Sequence, residues 1–231
     1  GFIHLLLRQD NLNNDQNLYL QTIRKSSAHL LALINDVLDF SKIDAGKLEL
    51  DTATFDLEEA IFDVMDMLSP LAAQKHIDMA FYYADNVPKH VVGDALRFKQ
   101  ILTNLISNAI KFTPDGEIIV RARMEQDDIG QCLLHFSVQD SGIGLSGTDR
   151  KKLFESFSQG DASVTRLFGG TGLGLAISKQ LVHLMQGQIG FEDNQERAPT
   201  EKGSTFWFTA MFMVNEEDEY VEHPQFNDMQ V

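Results

Sequence analysis

A stripe of residues near the amino terminus constrains the fold of this chain more than any other feature. Leu20, Ile23, Ser27, Leu30, Ile34, Val37, Ser41, Asp44 and Leu48 follow one another in steps of three and four. That spacing is a heptad seam and predicts one long helix, from Asp15 to Lys47. Leu31 and Leu38 widen the seam, which suits a helix bundle better than a two-stranded coil. Upstream, "GFIHLLLRQ" reads as a short apolar helical segment, and "DNLNND" as a turn rich in residues that cap helices. Gly46 closes the pattern as a helix breaker. Residues 1–50 therefore read as a helical hairpin. One hairpin cannot cover so wide an apolar face, so a homodimer through a four-helix bundle is expected.

From residue 51 the texture changes. "FDLEEAIFDVMDMLSPLAAQK" reads as a helix with Asp56 as its N-cap and Glu59 at the third helical position. "IDMAFYYA" sets Ile77, Met79, Phe81 and Tyr83 on one face of a half-buried strand. Asp94 caps the helix "ALRFKQILTNLISNAIKF". "EIIVRARME" and "QCLLHFSVQD" flank the turn "QDDIG" as a hairpin. "DRKKLFESF" reads as a short helix, "LGLAISKQLVHLM" as a longer one, and "QIGFED" with "GSTFWFTAMF" as a final antiparallel pair. Strands paired in hairpins with single helices between them predict an α+β fold: an α/β sandwich of helices on a mixed, mostly antiparallel sheet, over residues 51–214. The connection at 158–171 is roughly twice the usual length, and such loops are often lids. Residues 215–231 read as an acidic linker or tail.

Composition bounds the partners. The 231 residues carry a formal charge of −15, which argues against nucleic acid held on a basic surface. A polyanion must then be bound locally, by backbone amides, a few cations or a metal. The single cysteine, Cys132, excludes an internal disulfide framework and fits a reducing compartment. No apolar run is long enough to span a bilayer. A start at "GFIHLLL", without methionine, reads as an excised piece.

Four places could carry chemistry. Asn104, Asn108 and Lys111 share one face of their helix. The plain reading is an asparagine pair bonding to neighbouring loops; the sharper one is an oxygen ligand for Mg²⁺ beside a cation for phosphate. In "DSGIGL", Asp140 stands where a strand leaves the sheet, and Gly142 and Gly144 let the backbone bend close to a ligand. That carboxylate either closes a local turn or accepts from an exocyclic amine. "GGTGLGLAIS" holds four glycines in six residues before a helix, a phosphate site in principle. It is neither G-x-G-x-x-G after a strand nor the P-loop pattern. "GSTFWF" adds a third glycine loop.

Taken in order, "NLISNAIKF", "DSGIGL", "LFESFSQGD", "GGTGLGLAIS" and "GSTFWF" resemble the N, G1, F, G2 and G3 boxes of sensor histidine kinases, most closely the bacterial hybrid type. Those belong to the ATPase superfamily shared with gyrase-type, chaperone and mismatch-repair ATPases. "LLALINDVLDFSKIDAGKLEL" looks like the second helix of their dimerisation and phosphotransfer domain. The resemblance implies an ATP site with Mg²⁺ on Asn108 and Asn104 in support. It implies Lys111 and Arg166 on phosphate, and Phe112 along the base or sugar. It puts Asp140 on the adenine amino group, joined by Thr205, with Gly142 and Gly144 keeping that wall close. Gly170, Gly172 and Gly174 would supply phosphate-binding amides, with Thr171 and Leu173 in the same loop. It further implies transfer of the γ-phosphoryl group to a histidine and relay to a response regulator or receiver domain. The full protein is expected to be attached to an inner membrane, with this part cytoplasmic.

One departure limits the resemblance. The family's acceptor histidine lies in a pattern like "HELRTPLN", which does not occur here. His4 is followed by leucine rather than an acidic residue, and His29 reads as a packing or surface position. The acceptor is therefore expected before Gly1. His76, His90, His135, His183 and His223 lack spaced metal partners. Two other functions stay open: a conformational-switch ATPase of the same superfamily, which would place a glutamate base near Asn104, and a dimeric interaction module whose nucleotide only biases its shape.

Overall fold

The protein was analysed as a computed structural model, which describes residue 6 and residues 13–144, 153–155, 172–194 and 203–214. The chain divides into two compact units, Gly1–Leu48 and Glu49–Val231.

The first unit is described through helix α1, Asn14–Asp44. Asn13 starts it with a capping box: its side chain accepts from Gln16 N at 2.8 Å, and the Gln16 side chain accepts from Asn13 N at 3.0 Å. Two otherwise orphaned donors are satisfied by this exchange. Gly46, the expected breaker, turns left-handed at φ +64° just past the helix end. The helix end at Asp44 is three residues short of the sequence estimate. The seam is helical and runs along the outside: Leu30 is 58% and Leu31 61% exposed in the single chain. The expected partner helix at the amino terminus lies outside the described residues, Leu6 excepted, and so does the 215–231 tail.

The second unit is built on a seven-stranded mixed sheet in the order β1-β3-β7-β5-β4-β2, with β6 also paired to β7. The strands are β1 (Ala53–Asp56), β2 (Ile77–Tyr83), β3 (His90–Gly93), β4 (Gly116–Asp128), β5 (Gln131–Asp140), β6 (Ile189–Asp193) and β7 (Ser204–Met213). Among the described residues, only β2 and β4 pair in parallel. The helices are α2 (Leu57–Ala73), α3 (Ala95–Phe112) and α4 (Gly174–Leu184). The α+β class is as the sequence predicts. Strands β1 and β3 were not foreseen; they pair with each other, and β3 meets the end of β7. The β4–β5 hairpin is longer than predicted and turns on Ile129 and Gly130.

Helices α2 and α3 each have a local reason to start where they do. Asp56 accepts from Glu59 N at 2.9 Å and opens α2. Pro70 lies inside α2 and cannot donate to the carbonyl of Asp66. The Ser69 hydroxyl donates to that carbonyl instead, at 3.0 Å. Asp94 accepts from Arg97 N and from Asp51 N, both at 3.0 Å, so it caps α3 and ties down the chain entering the unit. The far end of α3 is capped by Lys75, whose ammonium donates to the carbonyls of Ile110, Lys111 and Thr113 at 2.7, 3.0 and 3.3 Å. A cation there complements the negative end of the helix dipole.

The core lies between these helices and one sheet face. Phe98 of α3 meets Phe136 of β5 at 4.9 Å and Phe212 of β7 at 6.0 Å between ring centres. Phe136 stacks on Phe208 at 4.9 Å. Ile101, Leu102, Leu105 and Ile106 of α3 are buried beside them. This packing leaves the polar face of α3 for other work.

Candidate functional site

Helix α3 forms one long wall of the candidate site. Asn104 and Asn108 stand one turn apart, and the Asn108 side-chain amide donates to Asn104 Oδ1 at 3.3 Å. Asn104 Nδ2 donates in turn to the Ser178 hydroxyl of α4, at 2.9 Å. The middle of α3 is thereby tied to the helix that follows the glycine loop. Lys111 lies over the ring of its neighbour Phe112, 5.0 Å from the centroid. Desolvation lowers the pKa of its ammonium.

Asp140, at the end of β5, forms the other end of the site. It is only 4% exposed. Its Oδ1 accepts from Gly142 N at 2.9 Å, and its Oδ2 accepts from the Ser204 hydroxyl at 2.8 Å. Burial raises the carboxyl pKa on balance, against the opposing effect of these hydrogen bonds. The Asp140 backbone carbonyl accepts from Asn194 Nδ2 at 3.0 Å, and Thr205 donates to Asn194 Oδ1 at 2.8 Å.

Glycines let these pieces approach. A Cβ at Gly142 would lie 2.5 Å from the Phe112 carbonyl oxygen. The adjacent Ile143 N donates to that same oxygen at 3.3 Å. The turn carrying Asp140 is thus locked to the end of α3 that carries Lys111 and Phe112. At about 1.5 Å of rise per residue, Asn104 and Phe112 are roughly 12 Å apart along that helix. Gly203, at φ +98°, has no room for a side chain against Asp140. Gly144 faces it across the turn, at φ +70°.

Helix α4 begins at Gly174, and its N-cap Leu173 makes no side-chain cap hydrogen bond. The first-turn amides of a helix favour an anion when no side chain caps them. Gly172 turns left-handed at φ +71° just before it. Arg166, Gly170 and Thr171 lie outside the described residues, as does the 158–171 connection they belong to. So do most of the residues expected to form the "DRKKLFESF" helix.

Of the sequence candidates, the structure gathers Lys111, Phe112, Asp140, Gly142 and Gly144 at one end of α3. Asn104, Gly174 and, through Asn104, Asn108 meet at α4. The Thr205 hydroxyl donates to Asn194, and the hydroxyl on the Asp140 carboxylate belongs to Ser204. Sequence reasoning missed Ser204, Asn194 and Ser178. Ser204 lies inside the "GSTFWF" loop and Ser178 ends "GGTGLGLAIS", so both lay within segments already singled out.

With this geometry in view, residues 93–212 match the family described as "Histidine kinase-, DNA gyrase B-, and HSP90-like ATPase". The chain belongs to this family. Residues 1–46 match the "His Kinase A (phospho-acceptor) domain". Sensor histidine kinase GacS of Pseudomonas protegens is 46% identical over 218 residues, which are 94% of this chain and 23% of GacS. The signal transduction histidine-protein kinase BarA of Escherichia coli K12 is 41% identical over 215 residues, or 93% of this chain and 23% of BarA. The chain thus spans about a quarter of the length of these curated relatives. Among solved structures, full-length ShkA in complex with AMPPNP superposes with a TM-score of 0.73 at 34% identity, covering 93% of this chain and 42% of ShkA. The 231 residues hold a histidine kinase catalytic core preceded by a region that matches the phospho-acceptor domain. Among the described residues, no helix is long and apolar enough to cross a membrane.

Proposed function

We propose that residues 51–214 bind ATP with Mg²⁺ and donate its γ-phosphoryl group to a histidine outside these 231 residues. From there the group would pass to an aspartate of a response regulator or a receiver domain. The observation that carries this reading is the Asp140 carboxylate. It is buried, framed by glycines at Gly142 and Gly203, and held by donors on both oxygens. A fixed acceptor at the rim of a tight wall suits the exocyclic amine of adenine.

The residues of α3 fit the rest of the nucleotide. Asn108 points its amide N–H at Asn104, and its carbonyl oxygen takes no hydrogen bond among the described residues. That leaves a hard oxygen of the kind Mg²⁺ accepts alongside waters and phosphates. The ion would supply neutralisation of phosphate charge. Lys111 would meet a phosphate oxygen, and an anion there offsets the desolvation of its ammonium. The start of α4, where no side chain caps the first turn, would add backbone amides at Gly172 and Gly174. Gly170, Thr171 and Arg166 would complete the phosphate end. Phe112 would line the base or sugar, and Thr205, held by Asn194, would add to the adenine contact of Asp140. Phosphoryl transfer depends mainly on positioning and charge stabilisation, and this set of residues offers both. Asn104 is an amide and cannot serve as a general base for water. The site is therefore suited to hold ATP for transfer rather than to hydrolyse it.

On the same reading, residues 1–50 belong to a dimerising helical bundle and residues 215–231 form an acidic linker or tail. The core works on the cytoplasmic side of a membrane-attached sensor. The test is to incubate the chain with radiolabelled ATP, Mg²⁺ and a second chain carrying the acceptor helix. Acid-labile label on a histidine of the second chain is expected. Failure of the chain to bind ATP at all would overturn the reading.

A further inference from the structure

We propose that Ser178 is a positioning residue for the metal-binding amide: its hydroxyl fixes Asn104, and Asn104 fixes which way Asn108 presents its carbonyl oxygen. This rests on the reading of Asn108 as the Mg²⁺ ligand. An asparagine side chain offers an oxygen on one side and an NH₂ group on the other, and only its hydrogen bonds decide which faces a ligand. Asn104 Nδ2 donates to Ser178 Oγ at 2.9 Å. That leaves Asn104 Oδ1 to accept from Asn108 Nδ2 at 3.3 Å. Asn108 then has its NH₂ group engaged within α3 and its oxygen turned away from Asn104.

Two features of α4 make this arrangement specific. Ser178 is 2% exposed and stands among buried Ala176, Ile177, Leu181 and Val182. A hydroxyl in such surroundings costs free energy unless it is hydrogen-bonded, and its side-chain partner is Asn104. Gly174 lies four residues earlier, on the same face of the helix. A Cβ at Gly174 would stand 2.5 Å from Asn104 Oδ1, so the missing side chain is what lets α4 come close enough for Ser178 to reach Asn104. Gly174 thus has a role in the chain besides offering an amide. Because α4 directly follows the glycine loop, the position of that helix is read by the amide pair on α3.

The test measures the affinity of the 231-residue chain for the ATP analogue AMPPNP by calorimetry, in Mg²⁺ and in EDTA. Outer-shell partners of metal ligands are worth about 10- to 100-fold in metal affinity. Ser178→Ala is expected to remove about tenfold of the strengthening that Mg²⁺ gives, with the affinity in EDTA unchanged. Ser178→Thr, which keeps the hydroxyl, is expected to retain it. A second readout needs no nucleotide: in the free chain, Ser178→Ala should shift the side-chain amide resonances of Asn108, although the Ser178 hydroxyl bonds to Asn104 rather than to Asn108. Full Mg²⁺ dependence in Ser178→Ala, together with its loss in Asn108→Ala, would overturn the relay alone. Full dependence in both variants would remove the ligand assignment and the relay with it.

Discussion

Helices α1 and α3 carry apolar residues at the same three-and-four spacing, yet they end in opposite environments. In α3, Phe98, Ile101 and Leu102 are completely buried, whereas in α1, Leu30 and Leu31 are more than half exposed in the single chain. Periodicity records that a face will be covered; it does not record by what. The α3 face is covered by the sheet of its own unit. The α1 face is left for elements outside the described residues or for a second copy. The two helices also use their polar positions differently. Ser41 and Thr22 of α1 bond back to their own helix, to Val37 O and Leu18 O, both at 2.8 Å. Asn104 of α3 reaches across to α4.

The largest expected effect tests the buried side of this contrast. Phe98→Ala should destabilise the Glu49–Val231 unit by about 3–5 kcal/mol, as truncation of a packed core aromatic does, and thermal unfolding would show it. Leu30→Ala should leave the melting of that unit unchanged within about 0.5 kcal/mol and should weaken self-association in analytical ultracentrifugation. Equal losses of stability in the two variants would break the contrast.

Next in size is Lys75→Met, which strips three carbonyl oxygens at the end of α3 of their charged donor. A loss of about 1–2 kcal/mol is expected in denaturant unfolding. Asp140→Asn separates binding from stability. Burial raises the Asp140 pKa above the ordinary carboxylate value of about 4, so its contribution to stability is fully present below that value. It is lost as pH rises through the shifted pKa. The variant should therefore gain in stability relative to the parent between acid and neutral pH, while losing nucleotide affinity. A parent that melts increasingly above the variant as pH rises would contradict this. The smallest effect is Asn13→Ala, about 1 kcal/mol from loss of the capping box, read as reduced helicity of the first unit alone.

Much of this was legible in the sequence, and the misses share a cause. Caps at Asp56 and Asp94 and the stop at Gly46 are local, and local chemistry is written in neighbouring residues. Strands "ATFD" and "HVVG" are four residues each, too short to display alternation, and they exist because they pair with each other. Ser204 and Thr205 offer adjacent hydroxyls, and alternation along a strand points them to opposite faces. Which one faces Asp140 depends on register: Thr205 pairs with Gln139 of β5 and Glu192 of β6, and Ser204 lies opposite Asp193. Lys75 gives no signal at all, because its three acceptors are more than thirty residues away along the chain. The asparagine pair was visible as a pattern, but its partner Ser178 is 74 positions from Asn104.

The central claim is that Asp140 reads the amino group of adenine. The most direct measurement is the relative affinity of the 231-residue chain for ATP and GTP, in Mg²⁺, by calorimetry. Guanine presents a carbonyl oxygen where adenine presents its amine, so a fixed carboxylate should reject it. A good polar discrimination of about 1–3 kcal/mol corresponds to a preference for ATP of roughly 5- to 150-fold, and this preference should shrink in Asp140→Asn. A parent chain that binds ATP and GTP equally well would contradict the account.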